Sequence, residues 1–340
     1  MKQKILNIVS GAKSGALNVA VTIGDFLKCE GFEVKLILRK YNKAGIAEAD
    51  VIKDCCTVDY IYCLAKLIDA EKPDIIMVHG YSTHLWTKLA LLKANHRARL
   101  IHIEHNVERY TKFRAYLLKK LDCCTEKYIC VSEGVANSLR KFNLPDEKIQ
   151  VIYNGIDINK FAIEKQPHSE FTIGMVARFT KQKDQMTLIK AVEILTKIKK
   201  IPVKLILMGE GKLKEQCMEY VKKHNLAETI SFETGFFIDL IPRIDLFVLS
   251  THYEGLPLVL CEAMAAKLPV IATNVAGVNE IVISKETGML VKENNSVDLA
   301  EKIEEARQRK NLYLEKAYQK VNEQFSLEKM CEKYKASVRI

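Results

Sequence analysis

Short apolar runs alternate along the chain with longer stretches whose apolar positions return at helical spacing. ILNIVS (5–10), VKLILR (34–39), DIIMVH (74–79), RLIHIE (99–104) and KYICVS (127–132) read as strands. Helical segments near 15–29, 60–71, 83–94, 109–122 and 133–142 fill the intervals. That alternation predicts a parallel sheet with helices on both faces. The rhythm then restarts with FTIGMVA (171–177), VKLILMG (203–209), TISFET (229–234), DLFVLS (245–250) and PVIAT (269–273). Helices are expected near 184–198, 212–224, 257–266 and 296–309, with a helical tail over 311–337. The polar stretch EKQPHSE (164–170) reads as a linker. The pattern thus predicts an α/β fold of two doubly wound domains in tandem, 1–165 and 166–324.

Composition narrows the class. A length of 340 residues, 48% of them hydrophobic, suits two domains with sizeable cores. No run approaches the roughly 20 apolar residues of a membrane helix. The start, MKQKILNIVSGAK, lacks the long apolar region and cleavage site of a signal peptide, so a cytoplasmic protein is expected. Ten cysteines occur without any CxxC, which fits small buried hydrophobes in a reducing cell. The net charge is +10, and residues 1–165 carry +7 of it, with 26 Lys and Arg against 19 Asp and Glu. A basic surface leaves open nucleic acid, anionic lipid or a phosphorylated ligand. No zinc-finger or RRM-like motif supports the first of these.

In open α/β sheets, ligands bind beyond the carboxyl ends of the strands, so two facing domains would make a cleft between such ends. After the first strand comes GAKSGAL, in which Gly11 and Gly15 permit close backbone approach before a helix start that favours anions. It is not a dinucleotide fingerprint, and GEGKLKE (209–215) also lacks the third glycine. On spacing alone each could equally be a tight turn. After the strand at 171–177, ARFTKQKD places Arg178 and Lys183 where a pyrophosphate could be gripped, although a solvated charge run is the plain alternative.

The stretch EGLPLVLCEAMAAKLPVIAT (254–273) raises a sharper question. Gly255 and Pro257 turn the chain into an apolar helix that carries Glu262 at its centre. Leu258 and Glu262 share a face of that helix. A carboxylate there could accept hydrogen bonds from two adjacent ribose hydroxyls, with a phosphate at the helix start and Glu254 nearer a sugar, although Glu262 facing solvent on an ordinary helix is the plain alternative.

EGLPLVLCEAMA resembles the E-x7-E motif of family 4 of the glycosyltransferases, with Glu254 and Glu262 at the two carboxylate positions. VSEGVANSLRKFNLPDEKIQVIYNGIDINKF (131–161), GMVARFTKQKDQMTLIKA (174–191), LILMGEGKLKE (205–215), DLFVLSTHYEG (245–255) and AGVNEIV (276–282) are similar to family segments in the same order. The likeness covers roughly 125–337, and residues 1–124 match in rhythm only. It implies the GT-B fold: two Rossmann-like doubly wound domains facing a central cleft. The N-terminal domain would bind the acceptor and the C-terminal domain the donor, with a last helix, about 325–340, crossing back to the first. It also implies retaining transfer from a nucleotide-sugar, with UDP favoured over GDP and no metal or other cofactor. The absence of a DxD triplet agrees.

By the same resemblance Arg178 and Lys183 hold the diphosphate and ease its departure, and Glu262 holds the ribose. Glu254 contacts the donor sugar, and His105, at the end of RLIHIE, faces the sugar and phosphate. Gly15, Glu210, Gly211, Phe236, Gly255, Leu256, Leu258 and Val259 complete the expected donor contacts. Two departures stand out: the first loop lacks the family's frequent Gly-Gly pair and following Glu, and Asp184 stands where glycine is frequent.

Relatives in the family build lipopolysaccharide, capsule and lipid-linked glycans at the inner membrane face. ERYTKFRAYLLKKL (108–121) interleaves Arg109, Lys112, Arg114, Lys119 and Lys120 with aromatic residues. Such a helix can lie on an anionic membrane or simply pack on the sheet. A peripheral membrane contact and a glycan or lipid-linked acceptor are the expectation. The rival readings are a non-hydrolysing UDP-sugar epimerase of the same architecture and a non-catalytic degenerate transferase partner.

Overall fold

The computed structural model describes residues 2–11, 14–39, 45–53, 56–105, 111–309 and 313–339, the side chains of Lys112 and Arg114 excepted. One sheet contains β1 (Lys4–Ser10), β2 (Glu33–Arg39), β3 (Asp50–Ile52), β4 (Ile75–His79), β5 (Arg99–Glu104), β6 (Lys127–Cys130) and β7 (Ile149–Val151). Its order is β3-β2-β1-β4-β5-β6-β7, and every pairing is parallel. A second contains β8 (Thr172–Val176), β9 (Lys204–Met208), β10 (Ile230–Glu233), β11 (Leu246–Leu249), β12 (Val270–Thr273) and β13 (Met289–Val291). Its order is β10-β9-β8-β11-β12-β13, again all parallel. The central strands are buried on both faces: Ile75, Ile76, Met77 and Val78 of β4 are fully inaccessible, as are Leu246, Phe247 and Leu249 of β11. This is why they read in sequence as continuous apolar runs rather than alternating ones.

The chain divides into two compact units, 1–154 with 330–340, and 155–329. The boundary therefore falls earlier than the sequence-based division after 165. Backbone pairing explains it: the Ile156 N–H donates to the Phe325 carbonyl at 2.9 Å, and the Leu327 N–H donates to the Ile156 carbonyl at 2.8 Å. Gly155 permits the approach, since a Cβ there would sit 2.3 Å from the Ser326 carbonyl oxygen. The stretch 164–170 lies inside the second unit, where the Gln166 N–H donates to the Pro242 carbonyl at 2.8 Å. Within the first unit the end of the helix Leu327–Val338 is held by the Arg99 guanidinium, which donates to the Val338 carbonyl at 3.0 Å, and by an ion pair between Lys335 and Glu30.

Each sheet reverses its strand order at one place, between β1 and β4 in the first and between β8 and β11 in the second. A doubly wound sheet opens its ligand crevice at that reversal, beyond the carboxyl ends. The residues that follow β1 and β4, and those that follow β8 and β11, therefore border the crevice of their own sheet. Among the described residues no helix is long and apolar enough to cross a membrane.

Candidate functional site

In the second unit, β8 delivers Arg178 to the crevice edge. Its guanidinium is exposed and has no partner among the described residues. The next residue, Phe179, is fully buried and anchors the loop. Its N–H donates to the Glu210 carbonyl at 2.9 Å, and its own carbonyl accepts from the Leu213 N–H at 3.2 Å. Gly209 and Gly211 make this contact possible. Their φ angles are +148° and +151°, and a Cβ would stand 2.2 Å from the Ala177 carbonyl oxygen or 2.3 Å from that of Phe179. The GEG turn is thus a seat for the Arg178 loop. Glu210 itself projects outward and pairs with Lys214 at 2.7 Å. Phe236 is 77% exposed, on the turn after β10 that begins at Gly235.

The segments after β8 and β11 are stitched together. Glu254 is buried, and its Oε1 accepts from the Lys183 ammonium and, at 2.8 Å, from the Thr251 hydroxyl. Gln182 Nε2 stands 3.4 Å from the other carboxylate oxygen. The Ser250 hydroxyl donates to the Asp184 carbonyl at 2.8 Å. Asp184 caps the helix Gln185–Glu193 in a left-handed conformation, φ +21°, with its carboxylate accepting from the Thr187 N–H at 3.3 Å. Asp tolerates a positive φ better than most residues, so it can stand where the resemblance leads one to expect glycine. Lys183 and Glu254 were expected to serve phosphate and sugar separately, and the structure pairs them with each other. Thr251 and Gln182 went unnoticed in the sequence because nothing in their spacing marks them as holders of Glu254.

Gly255 and Leu256 continue to Pro257, after which the helix Leu258–Ala265 begins. Gly277, at φ +81°, presses on this turn: a Cβ there would stand 2.4 Å from the Gly255 carbonyl oxygen. Cys261, Ala263, Met264 and Ala265 are buried, while Leu258, Val259 and Glu262 form a half-buried face. The Glu262 carboxylate has no hydrogen-bond or ion-pair partner among the described residues. Burial without compensation pushes its pKa up to about 7. A half-desolvated acceptor with nothing to accept from is what a diol ligand would satisfy.

In the first unit, Gly15 opens the helix Gly15–Cys29, whose Ser14 cap accepts from the Leu17 N–H at 3.3 Å. A Cβ at Gly15 would meet no atom of the described residues within 4 Å. His105 follows β5, and its backbone N–H donates to Glu104 Oε1 at 3.0 Å. Its ring lies 2.9 Å, nitrogen to nitrogen, from that of His79 at the end of β4. Burial lowers its pKa to about 4, against the opposing charge of Glu104. The basic segment forms a helix over Lys112–Lys120, shorter than the expected 109–122. Arg109 lies outside the described residues, as do the side chains of Lys112 and Arg114. Lys119 and Lys120 are exposed, as are Phe113 at 68% and Tyr116 at 57%.

Comparison with known proteins bears on the family and the fold. A model of the glycosyl transferases group 1 matches residues 157–324, and one of glycosyltransferase family 4 matches 14–160. A capsular polysaccharide biosynthesis glycosyltransferase of Staphylococcus aureus is 27% identical over 337 residues, covering 89% of this chain and 87% of its own. The UDP-Gal:alpha-D-GlcNAc-diphosphoundecaprenol alpha-1,3-galactosyltransferase of Escherichia coli is 28% identical over 322 residues, covering 84% and 82%. The Anabaena protein HepE, solved in complex with UDP, shares the fold with a TM-score of 0.86 at 19% identity, covering 99% of each chain.

Proposed function

The chain belongs to family 4 of the glycosyltransferases and has the GT-B fold, and from that premise we propose that it moves a sugar, with retention, from a UDP-sugar to a glycan or lipid-linked acceptor of a bacterial surface polysaccharide. The observation that carries this reading is the unpartnered Glu262 carboxylate on the helix that follows β11, next to the turn that holds the Lys183–Glu254 pair. Glu262 accepts hydrogen bonds from the ribose hydroxyls. Arg178, exposed and without a partner among the described residues, grips the diphosphate bidentately, and Lys183 adds a second positive charge while Glu254 turns to the sugar. Gly255, Leu256, Leu258 and Val259 line the same approach. The UDP named for the Escherichia coli and Anabaena proteins favours a uridine nucleotide here.

The chemistry asks little covalent help from the chain. The bond from the anomeric carbon to the phosphate oxygen breaks, and a bond to the acceptor hydroxyl oxygen forms on the same face. The acceptor's proton passes to the departing phosphate. Negative charge grows on that phosphate, and Arg178 and Lys183 stabilise it where a metal ion would otherwise be needed. Activity is accordingly expected to survive EDTA. The acceptor belongs to the first unit, and its basic helix contacts an anionic membrane peripherally.

Calorimetric titration of UDP and GDP, with Glu262→Ala beside the wild type, tests the reading. UDP is expected to bind at micromolar strength, and the variant to lose at least about tenfold, about 1.4 kcal/mol. Preference for GDP would move the donor assignment to another nucleotide. Binding of neither would remove the donor site altogether.

A further inference from the structure

A chain of three side chains crosses the strand reversal of the first sheet, and none of the family's expected contacts uses its inner two members. Asn7 lies within β1 and His79 ends β4, the strand paired with β1, and they are 1% and 3% exposed. Asn7 Nδ2 stands 2.7 Å from the Ala20 carbonyl oxygen. Asn7 Oδ1 stands 2.9 Å from His79 Nε2, and His79 Nδ1 stands 2.9 Å from His105 Nε2. The two rings lie nearly parallel, at 16°.

With His79 neutral, these contacts fix the protons along the chain. A carbonyl can only accept, so the Asn7 end that faces Ala20 is the NH2 and the other end is the oxygen. That oxygen also only accepts, so His79 carries its proton on Nε2. Buried with no carboxylate against it among the described residues, His79 stays neutral, and its pKa lies well below the ordinary value. Its Nδ1 is therefore a lone pair, and His105 must donate to it from Nε2. The outer nitrogen of His105, Nδ1, has no partner among the described residues.

We propose that Asn7 and His79 are positioning residues that hold His105 as the neutral Nε2–H tautomer, so that it offers an Nδ1 lone pair to a substrate hydroxyl. A ring so held accepts from a sugar and cannot donate to a phosphate from Nδ1, which separates two roles that the family resemblance leaves joined. Glu104, whose Oε1 takes the His105 backbone N–H, and His102, whose Nε2 lies 3.3 Å from Glu104 Oε2, are the other titratable groups at hand. The substrate role rests on the transferase reading, whereas the tautomer does not.

Nitrogen-15 NMR of the full chain, labelled at histidine, reads the tautomer directly, with His105 assigned by loss of its signals in His105→Asn. The expected wild-type spectrum near neutral pH has a protonated Nε2 and an unprotonated Nδ1. In His79→Phe the acceptor for Nε2 is gone, and His105 is expected to become a mixture of tautomers. In Asn7→Asp the carboxylate retains a second proton on His79, whose Nδ1 then donates, and His105 is expected to switch to the Nδ1–H form. An Nδ1–H tautomer or an imidazolium in the wild type would overturn the proposal, as would a His79→Phe spectrum unchanged from it. Should neither variant fold, the wild-type spectrum alone still decides. UDP titration of the same samples reports the donor site independently.

Discussion

Glu262 is a carboxyl that folding makes harder to ionise. Burial raises its pKa from 4.5 to about 7. Between those values the folded chain keeps a proton that the unfolded chain has released, so stability falls as pH rises through that window. Near pH 8 the ionised group costs about 3 kcal/mol relative to an ordinary carboxylate. Glu262→Gln should therefore raise the free energy of unfolding near pH 8, by up to that amount, and gain little near pH 4. The same substitution should weaken UDP and flatten the rise in wild-type UDP affinity expected between about pH 6 and pH 8. Gain of stability with loss of binding, measured by urea unfolding and calorimetry, marks a functional carboxylate; a loss of stability would mark a structural one. Lys183 predicts the opposite pattern. Lys183→Ala leaves Glu254 buried with only Thr251 and Gln182, at a cost of about 3–5 kcal/mol. Adding Glu254→Gln should restore much of that stability without restoring transfer, because the neutral amide no longer needs the ammonium.

Among the elements, the turns that seat the site rest on glycines with different burdens. Gly277 has both a left-handed φ and a carbonyl 2.4 Å from where a Cβ would stand. Gly277→Ala should cost about 1–3 kcal/mol in urea unfolding and weaken UDP by shifting the turn at Gly255. Gly15→Ala meets nothing among the described residues and should leave stability within about 0.5 kcal/mol. The same contrast of environment explains which elements were legible in the sequence. The central strands were found to within one or two residues because burial on both faces writes a continuous apolar run. DVI of β3, IQV of β7 and MLV of β13 were missed. Each is three residues long and lies at the edge of its sheet, too short to show a period and, in β3 and β7, only half-buried. The helix 184–198 was read as one piece, and it changes to π-helical winding at Ile194–Ile198 without a break in its apolar spacing.

At the scale of the whole molecule, what a sequence hides is contact between distant positions. Arg178, Lys183, Glu254 and Glu262 stand out as local motifs, but Lys183 meets Glu254 across 71 residues and Asn7 meets His79 across 72, only because parallel strands adjoin at the reversals. Charge is the global property that sequence does show. Residues 1–165 hold +7 of the +10, and the helix Lys112–Lys120 there exposes Phe113 and Tyr116 beside Lys119 and Lys120. Exposed aromatic rings interleaved with lysines suit the headgroup layer of an anionic bilayer, with the rings buried and the ammonium groups among the phosphates. The full chain should therefore sediment with vesicles rich in anionic lipid and less with neutral ones. Each lysine near the surface contributes about 1 kcal/mol, so Lys119→Gln with Lys120→Gln should weaken binding about 30-fold at low salt. That loss should shrink as ionic strength approaches about 0.15 M, where the screening length falls to about 8 Å. Phe113→Ser should weaken binding at every salt concentration, because its burial is not screened. Failure to sediment with anionic vesicles at low salt would remove the membrane from the proposed function and leave a dissolved glycan as the acceptor.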